Sequence, residues 1–474
     1  MHSWKAWGLL LGVSLAAGPA FAQDAETLRK ELDQMKKQFE QLKGEYQKAI
    51  DQMSERLNRV ESRPQQAITQ PVAPVIAQVP PASAPAAPST PSVGDLLRPR
   101  EPFSLYGARG KGQILFDIGV FGDFIGDFSD KSTPAFQPLA TFPSQAQRVF
   151  AREIEIGVWG AVDPYARAYV IIEAGEEFDP TNRTSEFGVE LAEAAGTITA
   201  LPWGFQDKFG LMRNRFGFLN EYHDHDLPQP DRPAVLVNFF GQEGLTETGN
   251  ELTWVPNLPF YLEGLFGIFN GDNEVAFGSA SFRSPLFTGR FRTFLDFDAF
   301  GAFLFGASVA AGTTSQNLSN TIFNFEAKYK LTPEGWSRPL LTVAGEFLQA
   351  WRSNLVTQTS IDPETGDLIE RSVKQKTSPL GFYVYAQVQP FRRWLGGVRY
   401  DNSEYLQFAG RQWAVEPYIA FQPSDFLRFR LAYKYTHFNA QASANLGGPT
   451  GAQNLSEVLL QATFLLGAHP SHPF

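Results

Sequence analysis

Short segments of alternating apolar and polar residues recur from about residue 100 to residue 474. In segment 426–435, Arg428, Arg430 and Lys434 share one face of an extended chain, while leucine, phenylalanine and tyrosine occupy the other. A period of two over about ten residues is typical of a strand that crosses a membrane, with its apolar face toward lipid and its polar face toward a lumen. The pattern therefore predicts an all-β transmembrane antiparallel β-barrel.

The connections between these segments alternate in length, as they do in barrels with short turns at one end and long loops at the other. Counting the segments on this basis gives about 16 strands. We expect short turns at 162–164, 256–259 and 422–425, and long loops near 124–148, 214–246, 351–378 and 438–454. The alternative is a soluble all-β sandwich, in which one face of each strand meets a second sheet.

The chain before residue 100 has a different pattern. Residues 1–22 combine Lys5, a short apolar stretch and the small residues around Phe21, which predicts a secretory signal peptide. In residues 23–62, apolar side chains recur in steps of four and three between Leu28 and Met53, which predicts an α-helical coiled coil that self-associates. Residues 63–99 are rich in Pro and Ala and predict an extended linker before the barrel of residues 100–474.

Composition narrows the classes of function. The 474 residues include no cysteine, which excludes a disulfide framework, a thiol nucleophile and a Cys-ligated metal. The 40 Lys and Arg residues face 50 Asp and Glu residues, a net charge of −10, so we expect no nucleic-acid partner. Because neither a G-x-S-x-G nor an H-E-x-x-H motif occurs, we expect no enzyme activity and no cofactor.

The polar face of the predicted strands carries both signs of charge. Its basic residues, the candidates for setting selectivity in the lumen, are Arg167, Arg290, Arg292, Lys328, Lys330, Arg393, Arg399, Arg428, Arg430 and Lys434. Its acidic residues are Glu153, Glu155, Glu173, Asp296, Asp298, Glu326, Glu416 and Glu457.

One segment combines histidine and carboxylate side chains at close spacing. In an extended chain, His223, His225 and Glu221 point the same way. Imidazole and carboxylate ligands suit Zn, Ni or Cu, so these three residues are a candidate metal site. The alternative is a polar loop without a metal, which its proline-rich continuation favours.

Segments 152–159, 216–221 and 265–271 give the chain a likeness to a known family. In these segments it resembles the phosphate-selective porin O and P family of outer-membrane porins. The resemblance implies a sixteen-stranded trimeric porin with a loop folded inward to narrow the channel. The acidic excess and the mixed inner face do not support phosphate specificity, which favours a general porin.

The sequence thus predicts an outer-membrane porin that passes small hydrophilic solutes or ions by diffusion, with an anion, phosphate or metal bias left open. We expect the barrel to lie among the lipids of a Gram-negative outer membrane and the coiled coil to lie in the periplasm. The expected partners are two further copies of the chain, as a homotrimer, and peptidoglycan. The alternative function is a structural tether that links the outer membrane to peptidoglycan through the coiled coil.

Overall fold

The computed structural model describes residues 115–361 and 368–467. The predicted signal peptide, coiled coil and linker lie outside the described residues. The strands are β1 (Leu115–Ser129), β2 (Arg148–Asp163), β3 (Ala166–Asp179), β4 (Thr184–Ile198), β5 (Phe205–Arg213), β6 (Thr246–Trp254), β7 (Tyr261–Phe269), β8 (Leu286–Asp296), β9 (Ala302–Thr313), β10 (Ser319–Leu331), β11 (Leu341–Ile361), β12 (Leu368–Thr377), β13 (Leu380–Phe391), β14 (Trp394–Glu404), β15 (Arg411–Ser424), β16 (Leu427–Phe438) and β17 (Gln453–Gly467).

Antiparallel pairing of neighbouring strands closes these elements into a barrel. The first strand pairs with the last, from Gly119 opposite Gly467 to Ser129 opposite Glu457. Strand β12 pairs with the C-terminal half of β11, from Arg352 to Ile361. The N-terminal half of β11, from Leu341 to Gln349, pairs directly with β13. Sixteen strands therefore form the closed ring, and β12 completes a hairpin arm beyond it. The strand number expected from the sequence is confirmed, and the sandwich alternative is wrong.

The two faces of the wall differ as the alternation predicts. Along β16, Phe429, Leu431 and Tyr433 are exposed on the outside, whereas Arg430 and Lys434 are buried inside. Aromatic and aliphatic side chains face outward and charged side chains face inward, which is the opposite of the distribution in a soluble protein. This distribution fits a barrel surrounded by lipid. The exposed apolar surface is then the membrane-facing surface of a transmembrane barrel.

The two ends of the barrel have different connections. Short turns join β2 to β3, β6 to β7 and β15 to β16, and β1 begins at the same end. The other end carries the long connections, including 130–147, 214–245 and 439–452. Two expected loops are wrong in extent, because β1 continues to Ser129 and because most of 351–378 forms the hairpin of β11 and β12.

In the described part of the chain, the helical elements are short and lie in the connections. The α-helices are α1 (Ala234–Phe240) and α2 (Ala440–Asn445), and single 3₁₀ turns occur at Pro134–Leu139, Pro202–Gly204, Asp224–Asp226 and Asp298–Phe300. Within the described ranges no helix has the length and apolar character needed to cross a bilayer.

The main apolar core lies inside the barrel, where the sequence predicts only polar surface. Phe216, Leu236, Phe239 and Phe240 of the β5–β6 connection are almost completely buried. They belong to one cluster with small and aromatic residues that point inward from the wall, namely Ala195, Ala310, Ala344, Ala350, Tyr383 and Tyr385. This connection therefore folds into the barrel and packs against an apolar patch on its inner surface.

Candidate functional site

Residues 214–245, which we name the inward loop, contact several sides of the barrel interior. The backbone N–H of Leu219 donates to the Glu346 carboxylate of β11 at 2.9 Å. From another part of the wall, Arg430 of β16 donates to the backbone carbonyls of Leu227 and Gln229. The loop thus bridges distant strands from inside the barrel, as the family resemblance implies for one of the loops.

A glycine permits one close approach between the inward loop and the wall. Gly217 has φ +67°, a conformation that side chains disfavour. A Cβ at this position would overlap the Glu346 carboxylate, which also accepts hydrogen bonds from Asn324 and Tyr383 at 2.7 and 2.6 Å. Only glycine fits here without moving the loop from the wall.

A buried ion-pair cluster fixes the proline-rich part of the inward loop. The Asp231 carboxylate lies 2.7 Å from Arg399 of β14 and 2.5 Å from Lys434 of β16. Arg399 also pairs with Asp401 at 2.8 Å and with Glu416 at 2.7 Å. Burial opposes ionisation of Asp231, but Arg399 and Lys434 hold its pKa below the usual value. The loop therefore supplies an anion that two wall cations require.

A second charged cluster holds the start of the inward loop. Glu221 pairs with Arg290 and lies 3.5 Å from Arg292. Burial opposes ionisation of Glu221, but these arginines keep its pKa below the usual value. Within the described residues, no ligand atom of Glu221 lies close enough to His223 or His225 to hold one metal ion with them. The structure therefore contradicts the predicted place of Glu221 in this metal site.

His223 and His225 instead meet two glutamates of strand β2. His223 Nδ1 lies 3.1 Å from Glu155 Oε2 and 3.5 Å from Glu153 Oε1. His225 Nδ1 lies 3.2 Å from Glu153 Oε1 and 3.7 Å from Glu155 Oε2. All four side chains are buried, so two loop imidazoles and two wall carboxylates share one enclosed volume.

The other ring nitrogen of each histidine contacts a further carboxylate. His223 Nε2 lies 2.9 Å from Glu193 of β4, and His225 Nε2 lies 3.0 Å from Asp226. Glu193 is itself oriented by the Tyr169 hydroxyl, which donates to it at 2.7 Å, and by the backbone N–H of residue 213. Both rings are therefore held with Nδ1 directed at the β2 glutamates.

These contacts favour the charged imidazoles. Burial and Arg213 lower the pKa of His223, but hydrogen bonds to Glu153 and Glu193 outweigh them and raise it to about 9. Burial also opposes protonation of His225, whereas Glu153 and Asp226 raise its pKa well above the usual value. Both shifts favour the protonated imidazole.

The predicted basic residues of the lumen divide into three groups. Six are buried on the inner face, namely Arg290, Arg292, Lys328, Arg399, Arg430 and Lys434. Three lie near the short-turn end, where Arg167 is exposed and Lys330 and Arg428 are half-buried. Arg393 is wrong as a wall residue because it lies in the turn between β13 and β14, and Asp298 is likewise in a turn.

Several residues of the interior were missed by sequence reasoning. Arg215 pairs with Glu251 and Glu263 at 2.6 and 3.5 Å, and Arg152 pairs with Asp123 at 2.5 Å. The signal for the wall carboxylates was present, because they occupy the same alternate positions as other inward residues. No pattern marks which strand a given residue of the inward loop will contact.

Comparisons with known proteins give few relatives by sequence. No protein-family model matches the chain, so its resemblance to the phosphate-selective porin O and P family stays a prediction. An uncharacterized protein of Aquifex aeolicus (strain VF5) is 28% identical over 366 residues, which are 68% of this chain and 69% of that protein.

Two solved structures are similar in fold at low sequence identity. The anion-selective porin from Comamonas acidovorans has a TM-score of 0.47 and 10% identity, over 75% of this chain and 100% of that chain. The outer membrane channel DcaP of Acinetobacter baumannii has a TM-score of 0.47 and 11% identity, over 76% of this chain and 100% of that chain.

Proposed function

We propose that the protein is an outer-membrane channel through which small hydrophilic solutes and ions diffuse. The observation that carries the proposal is a closed barrel with an apolar outside, a charged inside and a connection folded into its interior. A charged inner wall holds water, and a loop within the barrel limits the size of what passes. No bond-making chemistry is needed for this role.

Cavities at both ends of the barrel support a path for solutes. One cavity of about 950 Å³ lies at the long-loop end, where Arg352, Glu404 and Arg411 contribute to its lining. A second, of about 190 Å³, lies at the short-turn end and is lined by His225, Asp226 and Arg428, among others. In this proposal the inward loop lies between the two cavities and forms the narrowest part of the path that solutes follow.

The charge arrangement favours a weak preference for anions. Most inner cations face a carboxylate, as Arg290 faces Glu326 at 2.8 Å. Within the described residues, Arg428 and Arg430 form no ion pair and instead donate to backbone carbonyls of the inward loop or to Gln461. Asp123 compensates the charge of these two arginines only in part, and the remainder would attract anions near the short-turn end.

Conductance in planar lipid bilayers tests the proposal. The purified full chain should give discrete conducting steps, and a salt gradient should give a reversal potential displaced toward that of the anion. Replacing Arg428, Arg430 and Lys434 with Glu should move the reversal potential toward cations, whereas Arg338→Glu, in an exposed turn, should not. The absence of conducting steps at either polarity would exclude a channel.

The second candidate function is a structural tether between the outer membrane and peptidoglycan, which rests on the coiled coil and linker predicted at 23–62 and 63–99. A barrel that serves only as an anchor would insert into bilayers without conducting.

We also propose that the chain is a homotrimer with its coiled coil in the periplasm. Chemical cross-linking of the full chain and of a variant without 23–62 would show whether that segment contributes to trimer formation or to peptidoglycan binding.

A further inference from the structure

We propose that the protein binds one divalent transition-metal ion between the inward loop and strand β2, through His223 and His225 of the loop and Glu153 and Glu155 of the wall. The ion belongs to the class represented by Zn²⁺, Ni²⁺ and Cu²⁺, which accepts imidazole and carboxylate ligands. The set differs from the one suggested by local sequence, because Glu221 is occupied by arginines and the two glutamates come from a distant strand.

Four of the six distances between the proposed ligand atoms are given by the ion-pair contacts, and they suit a single ion. The four distances between an imidazole Nδ1 and a glutamate oxygen lie between 3.1 and 3.7 Å. In a tetrahedral site with metal–ligand bonds of about 2.0–2.2 Å, neighbouring ligand atoms lie about 3.3–3.6 Å apart. Glu153, Glu155 and His225 also place one ligand atom each within 4.8 Å of the others, and His223 forms a second such group with Glu153 and Glu173, so that Glu153 belongs to both.

Two of these atoms lack the hydrogen bonds that burial normally requires. His223 Nδ1 and Glu155 Oε2 make no hydrogen bond of good geometry, although they lie 3.1 Å apart as an ion-pair contact. The side chains of His223 and Glu155 are only 9% and 2% exposed. Buried polar atoms without well-aligned hydrogen bonds are uncommon in folded proteins, and a metal ion would satisfy both atoms at once.

The surrounding carboxylates provide the outer contacts of a metal site. A ligating histidine commonly donates its second ring N–H to a carboxylate, which fixes the tautomer and increases the basicity of the ligating nitrogen. Glu193 takes this position for His223, and Asp226 takes it for His225. The contact from Tyr169 to Glu193 extends the arrangement to a third strand.

The charge of the enclosed volume favours a divalent cation. Glu153, Glu155, Glu193 and Asp226 surround the two rings, and a divalent cation would be attracted by these four carboxylates. The nearby arginines have other partners, since Arg213 pairs with Glu243, and Arg152 pairs with Asp123 and approaches Asp224. A bound ion would join residues 223–225 of the inward loop to the wall.

Metal analysis of the full-length protein in detergent tests the proposal. After treatment with EDTA and titration with ZnCl₂, the wild type should bind one Zn²⁺ per chain, and X-ray absorption should show nitrogen and oxygen neighbours. Glu155→Gln, which preserves shape, should weaken binding at least tenfold, and His223→Ala with His225→Ala should abolish it. Glu193→Gln should weaken binding about 10- to 100-fold by removing the outer contact.

His437→Ala is the matched control, because His437 lies on β16 and contacts Asn454 and Trp413. It should bind Zn²⁺ as the wild type does, and every variant should show the heat-dependent gel mobility of a folded barrel. Failure of the wild type to bind Zn²⁺, or undiminished binding in both folded Glu155→Gln and the double variant, would overturn the proposal. Metal binding is measured without conductance, so this result is independent of the proposed channel function.

Discussion

Replacing Asp231 with Asn should release the proline-rich part of the inward loop. Asp231 lies 2.7 Å from Arg399 and 2.5 Å from Lys434, and each contact contributes about 6 kcal/mol at an effective dielectric constant of about 20. The cost of removing these ions from water offsets much of that attraction, so breaking a buried pair costs about 3–5 kcal/mol net. Because Asp401 and Glu416 still face Arg399, we expect about 3 kcal/mol.

A single introduced cysteine can measure this release. The chain has no cysteine, so a thiol introduced by Ala234→Cys is the only thiol in the protein. Ala234 is 4% exposed, and a hydrophilic maleimide can reach it only when the loop opens. If the loop-opening equilibrium carries the full 3 kcal/mol, Asp231→Asn should increase the labelling rate about a hundredfold, since each 1.4 kcal/mol is about a factor of ten.

Asp425→Asn is the matched control because Asp425 also faces an arginine, Arg338, at 2.6 Å, but its side chain is 78% exposed. An exposed pair contributes at most about 1 kcal/mol, and this pair lies in the short turns away from the loop. Labelling in this background should therefore match that of the Ala234→Cys parent. A rate in Asp231→Asn within threefold of the parent would refute the view that this ion-pair cluster holds the loop.

Three further predictions concern the inward loop and the N-terminal segment. Gly217→Ala should lower the thermal unfolding midpoint and alter single-channel conductance, because the new Cβ meets the Glu346 carboxylate. Gly447 also has a positive φ but lies in open space, so Gly447→Ala should cause backbone strain alone and lower the midpoint less. Because the pKa of Asp231 is depressed, its stabilisation is present above its unfolded pKa of about 3.9 and is lost as pH falls further. Gating noise should therefore increase below about pH 4 in the wild type and less in Asp231→Asn, and equal increases would contradict this assignment. A peptide of residues 24–62 should be helical and oligomeric by circular dichroism and sedimentation, and a monomeric coil at high concentration would exclude self-association.

The barrel could be predicted from the sequence because membrane strands carry a local signal. In β16 the alternation of Arg430 and Lys434 with Phe429 and Leu431 decides which face meets lipid, independently of other strands. Strand ends were less predictable, since polar alternation continues from the wall into the hairpin arm of β11 and β12. Nothing local to Leu341–Ile361 indicates where its partner changes from β13 to β12.

The contents of the barrel could be predicted only in part. His223 and His225 stood out as close ligand types, and that local feature correctly marked an unusual cluster. Their partners Glu153 and Glu155 lie about 70 residues earlier, a distance that spacing arguments do not cover. The segment of α1 is apolar, but its burial depends on small and aromatic wall residues from β4, β9, β11 and β13.

Two kinds of interaction fix the inward loop, and they act differently. The apolar side chains of α1, including Phe239 and Phe240, each gain about 1.5–3 kcal/mol by leaving water, but this attraction tolerates sliding across the wall patch. The contacts of Asp231 with Arg399 and Lys434 require one position, because a buried charge loses far more when its partner moves away. Removing Asp231 should therefore leave the loop inside the barrel but no longer in one register. The resulting channel should show several interconverting conductance levels, rather than the single enlarged level expected if the loop left the barrel.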